Sequence, residues 1–299
     1  ILTAPALGWW DDGHMLTARI AQEELQANHP DVWAQVNTVI DNMQTKYEDE
    51  HIFVEAATFP DKFKWKGYKK LGKESPVTTK GPWHYVNTPF WNGVPEKQVK
   101  QDDWNVVHAI KALTTELENN GNTELAAYQL RCLIHYVGDI HQPLHAVTMY
   151  SEDFPNGDRG GNSFKLAKHG QVDELHALWD SIVTEFETDW QQPLDVEDWD
   201  HVTDAANSIV LLFPREHLEL NQTVETWAQE SLEVAKASVY KGATQGEWPN
   251  QQYIADGKIA AEKRLAQGGY RLADLIVSIY NQGGFELTEC FKHSLRQKK

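Results

Sequence analysis

The sequence has 299 residues, a formal net charge of −17, 41% hydrophobic residues and 24% charged residues. This composition is ordinary for a globular protein with a sizeable core. The negative charge excludes a protein that grips nucleic acid through a broad basic surface, so any anionic ligand needs a local positive centre. No apolar run reaches the eighteen or so residues of a transmembrane helix. We therefore expect no membrane partner, and no motif indicates an obligate protein partner.

The first eight residues, ILTAPALG, end in an Ala-x-Gly arrangement of small residues. Such an ending is typical of a signal peptide at its cleavage site. We expect residues 1–8 to be a signal-peptide remnant that is removed after Gly8, and a frayed N-terminal arm is the alternative. The first interpretation predicts a secreted or periplasmic protein.

Hydrophobic periodicity is helical nearly throughout the rest of the chain, and strand-like alternation is scarce. Residues 9–299 are predicted to form one all-α domain. The predicted helices cover residues 13–28, 31–42, 49–62, 103–119, 123–141, 172–187, 200–213, 220–240 and 251–280. Two polar stretches, residues 64–82 and 149–170, interrupt the pattern. Loops of that length more often line a site than fill space.

The two cysteines, Cys132 and Cys290, are too few for a disulfide framework. Cys132 follows an apolar helical pattern, which favours a buried thiol. A single long-range bridge between the two stays open for an oxidising compartment.

The densest chemical signal is the stretch HYVGDIHQPLH, residues 135–145. His135 and Asp139 are spaced i and i+4 on a predicted helix, so both side chains leave the same face and can bind one metal ion. Pro143 disfavours continued helix, and the turned chain can bring His145 back towards that face. The stretch therefore predicts a metal site.

The later stretch ELHALWDS contains a second histidine and aspartate spaced i and i+4, His176 and Asp180. Zinc accepts histidine nitrogen and carboxylate oxygen ligands. Two such pairs with an extra histidine, in a chain poor in cysteine, are a much stronger signal than one pair. Asp61 in EAATFPD and His84 in GPWHYVN are weaker candidates, since each is by itself more often structural.

Taken in order, these residues resemble the zinc-dependent single-strand nucleases of the secreted class I, or S1/P1, type, which are related in fold to zinc phospholipases C. The resemblance runs from Trp9 to Asp180 and includes the segments GD-x-x-QPLH, GGN and LH-x-x-WD. It implies a helical fold around a trinuclear zinc cleft. The remaining C-terminal third is expected to complete the core.

The resemblance implies three zinc ions with nine protein ligands. Asp61, His84, His135 and Asp139 would hold the first ion, and His145, His176 and Asp180 the second. His14, the other oxygen of Asp139 and the main-chain nitrogen and oxygen of Trp9 would hold the third, which requires Trp9 to be the mature N-terminus. Three zinc ions against three carboxylates leave a net charge of about +3 in one cleft. His141 imitates a ligand by its spacing from His145, but the family pattern leaves it out.

The implied activity is hydrolysis of single-stranded RNA and DNA to 5′-mononucleotides, with removal of phosphate from 3′-nucleotides as a second activity. Asp61 would orient the attacking water, and Lys64 would stabilise the transition-state phosphate. Tyr85 would stack on a splayed nucleobase, which favours single strands over duplex. Asn87 would contact the base in place of the aspartate of fungal members, and Asn162 in GGN would shape the cleft.

Two alternatives stay open at this stage. A zinc phospholipase C would share the fold. Two features of the resemblance favour the nucleases: Asp180 occupies a position where the phospholipases have glutamate, and the GGN segment is typical of the nucleases. A zinc-stabilised binding protein without catalysis is the other alternative. Lys64 and an intact site for the attacking water argue against it, because structural zinc sites are usually closed by four protein ligands.

Overall fold

The computed structural model describes residues 9–43, 52–63, 75–100, 102–185 and 190–281. Within these ranges the secondary structure is mainly helical, which confirms the all-α prediction. The helices are α1 Asp11–Asn28, α2 Pro30–Asp41, α3 Phe59–Phe63, α4 Val106–Asn120, α5 Glu124–His141, α6 Leu175–Ser181, α7 Val196–Leu212, α8 Val224–Val234 and α9 Gln251–Tyr280. None of these described helices is both long and apolar enough to cross a bilayer.

Side-chain caps define where most of the longer helices begin. An Asn, Thr or Asp just before the helix accepts a hydrogen bond from a main-chain N–H of the first turn, which otherwise has no intrahelical acceptor. Such caps precede α4, α5, α7, α8 and α9, and the residues are Asn105, Thr123, Asp195, Thr223 and Asn250. Short polar side chains in the sequence thus set the helix boundaries to within a few residues.

Helix α5 lies at the centre of the described structure. It packs against α4, α9 and α2, and every residue from Ala126 to His141 is buried. Helix α1 lies along α9 and also contacts α5 and α7. Two large apolar clusters flank the C-terminal half of α5, one around Tyr128 and Leu133 and the other around Trp9 and Trp179. The last turns of α5 therefore lie between two packed regions, where side-chain positions are well defined.

Two small ribbons accompany the helices. Strands β1 Pro89–Trp91 and β2 Thr148–Tyr150 pair in parallel, with Trp91 opposite Tyr150. Strands β3 Lys165–His169 and β4 Val172–Glu174 pair antiparallel through a tight turn at Gly170, whose φ is 57°. Each ribbon joins chain segments that carry predicted site residues.

Helix α7 begins at Val196 and not at residue 200, and α8 begins at Val224 and not at residue 220. Three further segments differ more from the sequence-based expectation. The predicted helix over residues 172–187 begins as β4, because Val172–Glu174 pairs with β3, and becomes helical only at Leu175. The described part of the predicted helix 49–62 is a 3-10 turn, Glu55–Thr58, followed by the short α3. The stretch 149–170 contains the end of β2 and all of β3, so it is more ordered than the loop expected there.

Some predicted features lie outside the described residues. They are residues 1–8 with their proposed cleavage point, Lys64 and Cys290. Cys132 is fully buried, as expected, and forms no disulfide within the described residues.

Candidate metal centre

The end of α5 and the turn after it bring three predicted ligands together. His135 and Asp139 lie one turn apart on the same face of α5, and the Asp139 Oδ2 atom lies 3.1 Å from His135 Nε2. The helix ends at His141, and a 3-10 turn, Pro143–Ala146, returns the chain so that His145 Nδ1 lies 3.1 Å from Asp139 Oδ1. The two oxygens of Asp139 therefore face different imidazoles.

The other predicted ligand side chains converge on the same place from separate elements. His84, at the end of the 3-10 turn Gly81–His84, has its Nδ1 3.0 Å from Asp139 Oδ2 and 3.5 Å from Asp61 Oδ1. His14 on α1 stacks on His135 at 3.8 Å and has its Nε2 3.6 Å from Asp139 Oδ1. His176 and Asp180 on α6 complete the site, with His176 Nε2 3.2 Å from His145 Nε2.

The described structure contains three groups in which candidate ligand atoms lie within 4.8 Å of one another. Their members are His14, Asp61 and His135, then His84, His135 and Asp139, and finally His145, His176 and Asp180. Eight of the nine predicted ligands belong to these groups, and all eight are buried. His14 groups here with Asp61 and His135, whereas the resemblance pairs it with Asp139 and Trp9.

Trp9, the ninth predicted ligand, is fully buried beside this centre. Its indole Nε1 donates a hydrogen bond to the Gly138 carbonyl at 3.0 Å, and the main-chain N–H of Trp10 donates to the Asp180 carbonyl. The main chain of Trp9 is thereby held close to α5 and α6.

Backbone carbonyls determine which imidazole nitrogens carry hydrogen. Because a carbonyl oxygen can only accept, His135 Nδ1 donates to Ala57 and His84 Nε2 donates to Thr79, at 2.6 and 3.2 Å. His145 Nδ1 likewise donates to the His84 carbonyl, and His176 Nδ1 to that of Gly160. In each neutral ring the other nitrogen is then an acceptor that points into the centre. This is the outer arrangement that orients histidine ligands in metal sites.

The resulting arrangement of acceptors calls for a cation. His135 Nε2 and His84 Nδ1 face each other at 3.0 Å, and Asp139 Oδ2 lies within 3.1 Å of both. His145 Nε2 and His176 Nε2 face each other at 3.2 Å in the same way. Lone pairs at these distances repel in a buried site unless a proton or a metal ion lies between them. Nitrogen and carboxylate oxygen donors in this number fit a transition-metal centre.

The electrostatics show a site that attracts positive charge. Burial lowers the pKa of His135, but the carboxylates of Asp139 and Asp61 outweigh burial and raise that pKa above its ordinary value, so without a metal ion this ring tends to hold a proton. Burial lowers the pKa of His14 well below its ordinary value, and the neighbouring His135 lowers it further. His14 is therefore neutral, which is the form that binds metal. Neither of its ring nitrogens has a hydrogen-bond partner among the described residues. Burial would raise the pKa of Asp139, but His135 and His145 outweigh burial and hold that pKa well below its ordinary value, so the carboxylate stays ionised.

The predicted substrate residues lie around the centre. Tyr85 follows His84 directly and is half-buried, and Asn87 is exposed with its Oδ1 accepting a 2.8 Å hydrogen bond from Thr148. Asn162 is half-buried, and its amide lies 3.0 Å from His176 Nδ1 and donates to the Arg159 carbonyl. Asn162 thus contacts a candidate ligand directly.

Sequence patterns did not reveal every residue that shapes this centre. Gln142 donates from Nε2 to Asp180 Oδ1 and so joins α5 to α6. Its position inside GDIHQPLH, between two candidate ligands, was the available signal. The carbonyls of Ala57, Thr79 and Gly160 carry no side-chain signal, because any residue type can supply them.

His141, which imitates a ligand by spacing, points elsewhere. Its Nδ1 donates to the Val137 carbonyl, and its Nε2 accepts a 3.0 Å hydrogen bond from Arg271. It belongs to a buried network behind α5, in agreement with its absence from the predicted ligand set.

Comparison with known proteins identifies the family. Residues 9–281 match the S1/P1 nuclease family. The chain is 30% identical to Endonuclease 3 of Arabidopsis thaliana over 92% of this chain and 90% of the relative. It is 28% identical to Endonuclease 5 of the same plant, covering 92% of each chain. It is 27% identical to Nuclease S1 of Aspergillus oryzae, over 60% of this chain and 55% of the relative. The family match and the buried His/Asp groups together indicate a metal-binding centre, and the chain belongs to the S1/P1 nuclease family.

Proposed function

We propose that this protein is a zinc-dependent nuclease that hydrolyses single-stranded RNA and DNA to 5′-mononucleotides and removes phosphate from 3′-nucleotides. The observation that carries the proposal is the set of buried imidazole nitrogens and carboxylates that face one another within hydrogen-bond distance as acceptors. Relatives over most of the chain are named endonucleases, which supports the reaction class.

Three zinc ions are the proposed cofactors. The ligands are Asp61, His84, His135 and Asp139 for one ion, His145, His176 and Asp180 for the second, and His14, Asp139 and the main chain of Trp9 for the third. When bound, such ions activate water near neutral pH and stabilise negative charge on a phosphoryl group. They also supply the local positive charge that a protein with a net charge of −17 needs to hold a phosphodiester.

Asp61, Lys64 and Asn162 are the side chains proposed to assist hydrolysis. Asp61 accepts a hydrogen bond from the attacking water and orients it towards phosphorus, and Lys64 neutralises charge that develops on the phosphate oxygens. The Asp61 carboxylate is almost fully buried, so competing bulk water has little access to it. Asn162 lies beside the imidazole of His176 and shapes the cleft there.

Base recognition is assigned to Tyr85 and Asn87. The ring of Tyr85 offers a stacking face that tolerates any base, and a base inside a duplex cannot reach such a face. Thr148 donates to Asn87 Oδ1, which leaves the Asn87 NH₂ group to donate to an acceptor on the base edge. We therefore expect a preference for single strands.

Maturation and location are part of the proposal. Removal of residues 1–8 would free the amine of Trp9, whose side chain is buried beside the centre. A free amine binds zinc, whereas an acylated amide nitrogen is a very poor ligand. Intact mass of the protein recovered from the periplasm or the medium tests this step. Recovery of an uncleaved chain with three zinc ions per molecule would refute it.

A substrate panel tests the activity. Single-stranded DNA, single-stranded RNA, duplex DNA, 3′-AMP and phosphatidylcholine are each incubated with the enzyme, with and without a chelator. We expect cleavage of both single strands and of 3′-AMP, loss of activity with chelator and recovery with added zinc. Hydrolysis of the lipid alone would favour a phospholipase C and refute the nuclease proposal. Activity that survives the chelator would refute the zinc proposal, and zinc binding without any hydrolysis would indicate a binding protein.

A further inference from the structure

A stacked aromatic pair lies at the end of the parallel ribbon that leads away from the proposed base site. Trp91 and Tyr150 are register partners in β1 and β2, and their rings stack with centroids 4.3 Å apart and planes 27° apart. Both side chains are only partly buried. The predicted ligand set and the proposed base contacts use neither residue.

The ribbon connects this pair to the centre through two short segments. The Val86 N–H donates to the His145 carbonyl and the Thr148 N–H to the Thr88 carbonyl, so the chain after His84 runs beside the chain after His145. The pairing then continues through β1 and β2 to Trp91 and Tyr150. Each strand of the ribbon therefore follows a candidate metal ligand closely in the chain, β1 after His84 and β2 after His145.

Side-chain contacts place the pair on the same face as Asn87. Thr148 donates to Asn87 Oδ1 at 2.8 Å, and residues two apart on a strand share one face, so Tyr150 lies on the face of Thr148. Gly157 confirms this, since a Cβ atom on it would meet both Thr148 Cγ2 and the Tyr150 ring. Gly157 has φ +88° and lies so close to Thr148 that a side chain there would displace the ribbon.

The spacing suits consecutive nucleotides of a strand. Tyr150 follows Thr148 by two residues, and two residues along a strand span about 7 Å. The Tyr150 ring therefore lies about 7 Å along the ribbon from the Thr148 side chain, which donates to Asn87. Stacked bases in a strand rise about 3.4 Å each, and a partly extended strand covers more. A mononucleotide held at Tyr85 and Asn87 is too short to use the pair, whereas an oligonucleotide reaches it.

The chemistry of the pair suits a nucleobase better than a phosphate. Tyr150 is packed between Gly157 and Trp91, so the pair is already ordered and loses little entropy when a ring stacks on it. Neither ring carries a charge, so the pair can stack on a base but cannot neutralise a phosphate. An uncharged aromatic base is the ligand that fits.

We propose that the Trp91 ring, backed by Tyr150, is a second nucleobase-stacking subsite, which binds the single strand beyond the base held at Tyr85 and Asn87. The proposal rests on the proposed nuclease function. Stacking of one base on an aromatic side chain is sequence-tolerant. The subsite therefore favours longer single strands without selecting a particular base.

The test compares Trp91→Leu with Trp91→Phe, which keeps a stacking ring. Trp248→Leu is the matched control, because Trp248 stacks on His169 in the other ribbon at 4.5 Å. KM and kcat are measured on a short oligothymidylate and on 3′-TMP. We expect Trp91→Leu to raise KM for the oligonucleotide about tenfold, with its kcat and the KM for 3′-TMP unchanged. Trp91→Phe and Trp248→Leu should stay near the wild-type values.

Two results would refute the proposed second base-stacking subsite. An unchanged oligonucleotide KM in Trp91→Leu would do so, and so would an equal rise in KM for 3′-TMP, which would mean that Trp91 only supports the first base site. If the wild-type protein cleaves no nucleic acid, the nuclease proposal fails separately. Fluorescence anisotropy with a labelled phosphorothioate oligothymidylate then still tests the subsite. Equal affinity of wild type and Trp91→Leu would overturn it, and weaker binding by the variant would support it.

Discussion

Substitution of Gly138 by alanine tests how tightly the candidate metal centre is packed. Gly138 lies on α5 directly before Asp139, and a Cβ atom there would lie 2.8 Å from His14 Nδ1 and 3.3 Å from His14 Cε1. His14 is enclosed, because its ring is buried and stacks on His135 at 3.8 Å. The Trp9 indole, which bonds to the Gly138 carbonyl, restrains the main chain at the same point.

Two opposing effects determine how much Gly138→Ala changes the free energy of unfolding. Alanine in place of glycine inside a helix stabilises by about 1 kcal/mol, and overpacking of a tight interior costs about 1–3 kcal/mol. We expect Gly138→Ala to lower the free energy of unfolding by up to about 2 kcal/mol, from the difference between these effects. In a His14→Ala background the clash is absent, so the same substitution should stabilise by about 1 kcal/mol.

Urea unfolding of the four proteins in chelator, followed by circular dichroism, gives the coupling energy between the two positions. The chelator ensures that the packing effect is measured without bound metal. A coupling of about 1–3 kcal/mol is expected, equal to the cost of the clash. If Gly138→Ala stabilises both backgrounds equally, His14 is free to move aside and the packing argument is wrong. Zinc content of Gly138→Ala should also fall, because His14 is displaced.

Three further predictions concern groups outside the centre. Burial, together with two nearby arginines, lowers the pKa of His141 well below its ordinary value, so the unfolded chain binds the proton more readily. The free energy of unfolding should therefore fall as pH drops below about 6.5. Urea unfolding at pH 7 and pH 5 should show a smaller fall for His141→Gln than for the wild type. An equal fall in both proteins would contradict the argument. Tyr240→Phe removes the hydroxyl that donates to the buried Asp158 at 2.7 Å. It should cost about 1–3 kcal/mol of unfolding free energy, and an unchanged thermal midpoint would count against it. Burial raises the pKa of the Cys132 thiol to about 12, so in a Cys290→Ser background iodoacetamide should label Cys132 only after unfolding; rapid labelling of the native protein would show that the thiol is accessible.

Local patterns predicted most of the helices for a definite physical reason. Helical periodicity and a capping side chain both act within a few residues, so α4 could be located from the apolar spacing and α5 from that spacing with Thr123. The predicted start of α4 at residue 103 was too early, because Asn105 caps the helix and is not part of it. Predicted boundaries were wrong where pairing with a neighbouring strand intervened. Val172–Glu174 has a helical pattern yet forms β4, because it pairs with β3, and periodicity carries no information about such a partner.

The ligand pairs were predictable because their spacing is local. An i, i+4 arrangement on a helix places His135 beside Asp139 and His176 beside Asp180 wherever the helix lies. The convergence of Asp61, His84 and His14 on those pairs was expected only through the family resemblance. Their distances to one another depend on how α1, α3 and α5 pack.

The sequence by itself determined the helical class, the helix caps and the residue types able to bind a metal, since each of these depends on neighbours along the chain. The tertiary structure decided which nitrogen of each histidine faces the centre. That choice depends on the carbonyls of Ala57, Thr79, His84 and Gly160, which distant segments bring within hydrogen-bond distance. It also decided that Trp91 stacks on Tyr150, because strand register joins residues far apart in the chain. The residue type at each position determines which atoms can bind a metal, whereas the groups packed against a buried side chain determine how those atoms are oriented.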